Sequence, residues 1–370
     1  MNKYLELTMT HRVDIHGKKM MGWLAPLMLA LTLMVSSCSP ATEGQEGNDA
    51  WVTLTISTGG GAADGGEGMA SRASGSAADK DWQVNDLTIY IFDQTGQVIG
   101  SSYASYSINS KQDITATVKT RKAQNCTVIA LANAGTLSGT YATVQTTSPF
   151  AGVSTLSEFQ QKYITFKDMA SLESAPCLLM VGYLKGFDTT GSGSSISLQR
   201  LASRLDFTIT VKDDKDTGQP IVVDSYQLCH APLSAFYAPA DMSAITLPQG
   251  AAYVDYTSQN KIANPYTAYV YANPATTAQD ATYLLIKAHS QASPTDTRKI
   301  WQSDFKVYLN GITGLADYKL LPNYHYSVNI TVQGSLKSYH GMIASYKAYP
   351  YYSSSLLPWG GDTNKDLDLK

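Results

Sequence analysis

Four groups of side chains in this sequence have the types and spacing to do chemistry. Cys38 ends the run Val35-Ser-Ser-Cys38, in which small residues lead up to a thiol that can be acylated. Arg72 is the one arginine within the Gly-, Ala- and Ser-rich residues 59–80, so a trypsin-like protease could cut between Arg72 and Ala73. Arg200 and Arg204 lie four apart, and in one strand both would project to the same face and bind carboxylates or carbonyls at a domain junction. Asp362-Thr-Asn-Lys-Asp-Leu-Asp368 has oxygen side chains at alternate positions, like the start of a calcium loop. Its sixth place is Leu367 and not glycine, and no glutamate follows, so a solvated acidic tail is expected.

Other chemistries do not assemble. Cys229 and His230 are adjacent, and neighbours in a strand face opposite ways, so they cannot easily chelate one ion; no metal is expected. Gly59-Gly-Gly61 is followed neither by Gly-Lys-Ser/Thr nor by a helix start, and no serine sits in a Gly-x-Ser-x-Gly elbow. No carboxylate pair announces an acid/base couple, so neither an enzyme nor a cofactor is expected, and there are no candidate catalytic residues. A net charge of -3 supplies no basic field and argues against a nucleic-acid partner.

The elements along the chain must position these groups. His16-Gly-Lys-Lys19 precedes an apolar core at residues 20–35, interrupted by Pro26 and too short for a comfortable membrane span. Residues 1–37 therefore read as an export signal, and the run into Cys38 resembles the bacterial lipobox, with serines where Leu-Ala-Gly is commonest. A diacylated Cys38 would tether the protein to the outer membrane through residues 38–50; an ordinary secretory signal cut nearby is the alternative. That leaves Cys126, Cys177 and Cys229, each in or beside an apolar run, as buried free thiols or as one disulfide and a remainder.

Residues 51–58 alternate Val52, Leu54 and Ile56 with Thr53, Thr55 and Ser57, the period of a half-buried strand. The glycine-rich linker at 59–80 cannot bury enough surface to order itself. Cutting it would free the strand to leave and expose an apolar groove with unpaired backbone groups. Downstream, Val84 to Asp93, a Gly96 turn and Val98-Ile99 predict a hairpin, Asp113 to Lys119 alternates cleanly, and Cys126 to Asn133 suits a central strand. Residues 155–162 alone suggest a short helix, capped by Ser154 or Thr155 with Glu158 in reach. Further strands are expected at Met180 to Leu184, Ser195 to Leu198, Leu201 to Val211 and five later positions, a spacing that predicts an all-β chain of two sandwiches. The expected division is an N-terminal sandwich at 51–200 and a C-terminal one at 201–370.

Five motifs carry a resemblance. Leu87-Thr-Ile-Tyr-Ile-Phe-Asp93 with Gly96, Val128-Ile-Ala-Leu-Ala-Asn133, Leu198-Gln-Arg-Leu-Ala-Ser-Arg-Leu205, Tyr269-Val-Tyr-Ala-Asn273 and Leu321-Pro-Asn-Tyr-His-Tyr-Ser-Val328 follow in order behind the lipobox. Together they resemble the Bacteroidales fimbrillin superfamily of major, minor, tip and anchor fimbrial proteins. The resemblance implies two tandem transthyretin-like β-sandwiches, lipoprotein export, removal of the first strand by an arginine-specific protease and polymerisation by strand exchange at the cell surface, in support of adhesion and biofilm formation. It also implies that a C-terminal segment fills the next subunit's groove, which makes 342–359 the candidate donor, with Met342, Ala344, Tyr346 and Ala348 along one side. Other fimbrial subunits are the expected partners, and surface glycans or proteins are further candidates because Tyr346, Tyr349, Tyr351, Tyr352 and Trp359 cluster at the end. An uncut outer-membrane anchor and a glycan-binding tip adhesin are the competing readings, since anchor members of the superfamily keep their lipid.

Overall fold

The computed structural model describes residues 48–58, 80–191, 193–214, 217–261, 265–309, 318–333 and 342–350, with only the backbone given for Trp301 and for 342–350. Cys38, Arg72, Ala73, the acidic run 362–368 and the aromatic tail beyond 350 lie outside the described residues. Among the described residues strands make up 51% and helices 7%, so the all-β expectation holds.

The first half runs β1 (Asp49–Ser57), β2 (Val84–Phe92), β3 (Val98–Ile108), β4 (Asp113–Arg121), β5 (Cys126–Ala132), α1 (Ala134–Thr140), α2 (Leu156–Gln160), β6 (Tyr163–Thr165), α3 (Met169–Ser174), β7 (Met180–Phe187), β8 (Ser194–Ser197) and β9 (Gln199–Arg200). Two sheets, ordered β4-β1-β8 and β3-β2-β5-β7-β9, enclose a core of Val52, Leu54 and Ile56 on one side and Leu87, Ile89, Val128 and Met180 on the other. Gly182 on β7 lets the sheets close: a Cβ there would stand 2.5 Å from Ile196 Cγ2 and 2.7 Å from the Ser197 carbonyl.

The second half runs β10 (Ala202–Val211), β11 (Ile221–Cys229), β12 (Ala231–Pro232), β13 (Ser234–Phe236), β14 (Tyr253–Val254), β15 (Tyr266–Tyr271), β16 (Tyr283–Gln291), β17 (Lys299–Tyr308), β18 (Tyr324–Val332) and β19 (Met342–Pro350). Its main sheets are ordered β15-β10-β18-β19 and β11-β16-β17. Leu205, Phe207, Leu284, Ile286, Val328 and Ile330 are buried in its core.

β5 explains how the halves join. It is the middle strand of its sheet, with Val128 and Ala130 facing the first core and Ile129 and Leu131 facing a second layer built from Phe150, Phe159, Phe166 and Leu172. That layer is continuous with the core of the second half. β6 pairs with β13 across the junction, and the Ser138 hydroxyl bonds that of Tyr237.

Three expectations need correction. Two further helices exist besides α2: α1, whose first N–H groups at Gly135 and Thr136 donate to the Asp86 carboxylate at 3.0 and 2.7 Å, and α3, capped by Asp168. The second strand of the first hairpin runs to Ile108, well past Val98-Ile99. Arg200 and Arg204 do not share a strand, because the chain leaves β9 of one sheet and enters β10 of another at Leu201. Cys126, Cys177 and Cys229 are all buried free thiols. Among the described residues no helix is long and apolar enough to cross a membrane.

Candidate functional site: the first strand and its anchors

β1 is the middle strand of its sheet. It runs antiparallel to β4 from Asp49 opposite Arg121 to Ser57 opposite Asp113, and parallel to β8 from Leu54 beside Ser194 to Ser57 beside Ser197. The pattern that made it a strand also makes it a plug: Val52, Leu54 and Ile56 are at most 1% exposed, while Thr53, Thr55 and Ser57 face outward. Burying such side chains contributes about 1.5–3 kcal/mol each, an upper figure because unfolded chains already hide some surface. In the described pairing β4 and β8 bond to β1 and not to each other. Taking β1 away would therefore leave two facing ladders of unpaired backbone groups over an apolar floor.

The far end of β1 is held by polar groups. Thr58 is wholly buried; its hydroxyl donates to the Gln112 carbonyl at 3.0 Å and accepts from the Gln112 N–H at 3.0 Å. The Thr58 N–H also reaches the Gln112 carbonyl at 3.3 Å, and the Ser57 carbonyl accepts from Leu198 N–H at 2.9 Å.

Residues 59–79 follow, and the chain returns at Lys80 into a second set of anchors. Arg200, wholly buried, donates through Nε to the Asp81 carbonyl at 2.8 Å, and its Nη2 bonds the same oxygen. Nη2 also reaches the Thr58 carbonyl at 3.5 Å, so one guanidinium touches the chain on both sides of the connecting segment. The Trp82 ring lies 4.8 Å from that guanidinium. Arg204 pairs with the Asp81 carboxylate at 3.1 Å and with Asp206 at 3.1 Å. Lys80 donates to the Glu173 carbonyl at 2.8 Å, and burial lowers its pKa, partly offset by the nearby Cys177 and Glu173.

The cluster extends into the second half. The Arg200 N–H donates to Asn323 Oδ1 at 3.0 Å, and Asn323 takes the left-handed conformation, φ 62°. Asp206 accepts from Thr267 at 2.6 Å and bonds His325 at 2.7 Å. Burial pushes the Asp206 carboxyl up, but the bonds from His325 and Thr267 and the Arg204 charge outweigh it and hold its pKa at about 2.

Of the residues singled out in the sequence, Arg200 and Arg204 thus bind at the ends of one connecting segment, and Val52, Leu54 and Ile56 line the strand that leads into it. Met342, Ala344, Tyr346 and Ala348 lie elsewhere, on β19, which is the rim of its sheet among the described residues and pairs antiparallel with β18. Sequence reasoning missed Thr58, Asp81, Trp82 and Asn323. The available signals were the Lys80-Asp81-Trp82 cluster directly after the glycine-rich run, and Pro322-Asn323 within a motif already noted.

The fold and site together describe an all-β protein of paired sandwiches whose first strand plugs a central slot. Residues 51–194, from β1 into β8, match the family model of the major fimbrial subunit protein (FimA). Among solved structures, the chain is similar to a putative cell adhesion protein from Parabacteroides distasonis ATCC 8503, at 17% identity and a TM-score of 0.58, covering 81% of this chain and 97% of that one. It is also similar to a fimbrilin (FimA) from Porphyromonas gingivalis W83, at 12% identity and a TM-score of 0.54, covering 81% and 98%. The tip fimbrial protein Mfa3 from Porphyromonas gingivalis, with a C-terminal truncation, matches at 13% identity and a TM-score of 0.53, covering 82% and 100%. No curated protein matches in sequence. The resemblance to the Bacteroidales fimbrillin superfamily read from the five motifs agrees with the family match over residues 51–194 and with the shared fold. At these identities the solved structures share the fold, and the family match is confined to residues 51–194.

Proposed function

We propose that this chain is a structural subunit of a cell-surface fimbria, which polymerises by exchanging its first strand for one donated by a neighbour. In this reading it is exported as a lipoprotein on Cys38, and an arginine-specific protease cuts between Arg72 and Ala73. β1 then leaves, and residues 342–359 of another subunit fill the slot, giving a fibre that supports adhesion and biofilm formation. The observation that carries the reading is the position of β1 between two strands that bond only to it within the described pairing. An intruding strand would regain both ladders and the apolar floor at once, and because release needs all of these contacts to open, the polymer would be kinetically durable.

A second reading has its own support. The seated β1 is also the state an uncut outer-membrane anchor would keep. N-terminal sequencing of protein sheared from cells separates the two: an N-terminus at Ala73 is expected of the cut subunit. A blocked, lipidated Cys38 confined to the membrane fraction would instead identify the anchor.

A further inference from the structure

Alternating apolar residues do not by themselves define a register. In the β1 slot, a strand slipped by two residues would still present Leu54 where Val52 sits and Ile56 where Leu54 sits, at the cost of imperfect packing alone. The residue that breaks this degeneracy is Thr58, which continues the inward row of Val52, Leu54 and Ile56 but is polar. In register, its hydroxyl both donates to and accepts from the Gln112 backbone, next to the Arg200 guanidinium. Slipped one way, the hydroxyl would enter the Ile56 position, among Ile114, Ile196 and other apolar groups, where a buried polar group without a partner is unfavourable. Slipped the other way, Thr58 would pass beyond Gln112 and both bonds would be lost. Reversal of the strand would put the hydroxyl at the opposite end of the slot.

We infer that the Thr58 end of the slot is a hydroxyl-selective subsite that sets the register and direction of the strand it takes. Resting on the strand-exchange reading, this defines the partner by its chemistry. The slot takes an extended strand with apolar residues at three alternate positions and threonine or serine two places beyond the third. Within this chain's own donor candidate, Met342, Ala344 and Tyr346 would fill the three apolar positions and Ala348 would fall on the subsite. The chain is therefore a poorer ligand for its own slot than a partner subunit bearing a hydroxyl there, and Ala348→Thr should improve it.

The test uses the full chain with a recognition sequence for a site-specific protease placed within residues 59–79. After cutting, the time the N-terminal fragment stays bound is followed by size exclusion and mass spectrometry. Thr58→Val is expected to release the fragment about tenfold faster than the parent, and Thr58→Ser to behave like the parent. Labelled peptides of residues 51–58 are then offered to the cut chain, carrying threonine, serine or valine at the last place, together with residues 341–348 and its Ala348→Thr form. Uptake of the hydroxyl-bearing peptides about tenfold above their counterparts supports the subsite. Equal release from the parent and Thr58→Val, or equal uptake of the valine and threonine peptides, overturns it. If no peptide enters while Thr58→Val still sheds its fragment faster, the subsite stands and the exchange reading falls.

Discussion

In the described pairing β1 lies between β4 and β8 with its apolar side chains sealed beneath it, whereas β19 lies at the rim of its sheet against β18. Detaching β19 opens one ladder. Detaching β1 opens two, uncovers Val52, Leu54 and Ile56, and breaks the bonds of Thr58 to Gln112. The difference assigns the two strands opposite parts in an exchange: a rim strand can be given away at modest cost, and a central strand needs a trigger to leave.

That contrast is most exposed to hydrogen exchange. The amides of β1 are expected to exchange only with global unfolding and those of β19 by local opening, a separation of about 5 kcal/mol or more in opening free energy. Similar protection in the two strands would remove the contrast. Leu54→Ala should lower stability by about 2–5 kcal/mol in urea denaturation, since Leu54 is the fully buried centre of the strand that fills the slot. A loss below about 1 kcal/mol would mean that the packing of β1 on its floor contributes little.

The anchors around the connecting segment sharpen the comparison through pH. Asp206 is held at about 2, below its ordinary value, so its contribution is present above roughly pH 4 and is lost as pH falls toward 2. The loss is expected to be about 2 kcal/mol over that window in thermal or chemical denaturation, and absent in Asp206→Asn. An unchanged pH profile in the variant would place the acid sensitivity elsewhere.

Much of this was legible because local pattern and tertiary environment agreed. β1 alternates and is half buried; β5 is apolar throughout and has a core on each face. Thr155 and Glu158 form the capping box that their spacing implied. The motif ending in Asn133 also has a physical meaning: its side chain donates to the carbonyls of Gln83 and Leu178, both at 2.7 Å, and closes the end of β5. Asn273 does the same after β15, donating to the Asp280 carbonyl at 2.9 Å and to Thr282 at 3.0 Å.

The illegible parts depended on distant partners. α1, with two glycines and two threonines in seven residues, has no helical pattern of its own and is organised by the Asp86 carboxylate some 50 positions away. α3, at six residues, is too short for periodicity to register. Arg200 and Arg204 looked like neighbours on one strand because the change of sheet at Leu201 leaves no mark in the residue pattern. The contacts of Arg200 with Thr58, Asp81 and Asn323 span 142, 119 and 123 positions, separations that no local pattern encodes.

The most direct test is to lock the first strand in place. Thr53 on β1 and Thr117 on β4 are directly opposite and both exposed, so Thr53→Cys with Thr117→Cys should form a disulfide that holds β1 in its slot after the connecting segment is cut. The oxidised protein is expected to stay monomeric on a non-boiled gel and to form a ladder once dithiothreitol is added. A ladder from the oxidised protein equal to that from the reduced one would contradict strand exchange at this slot.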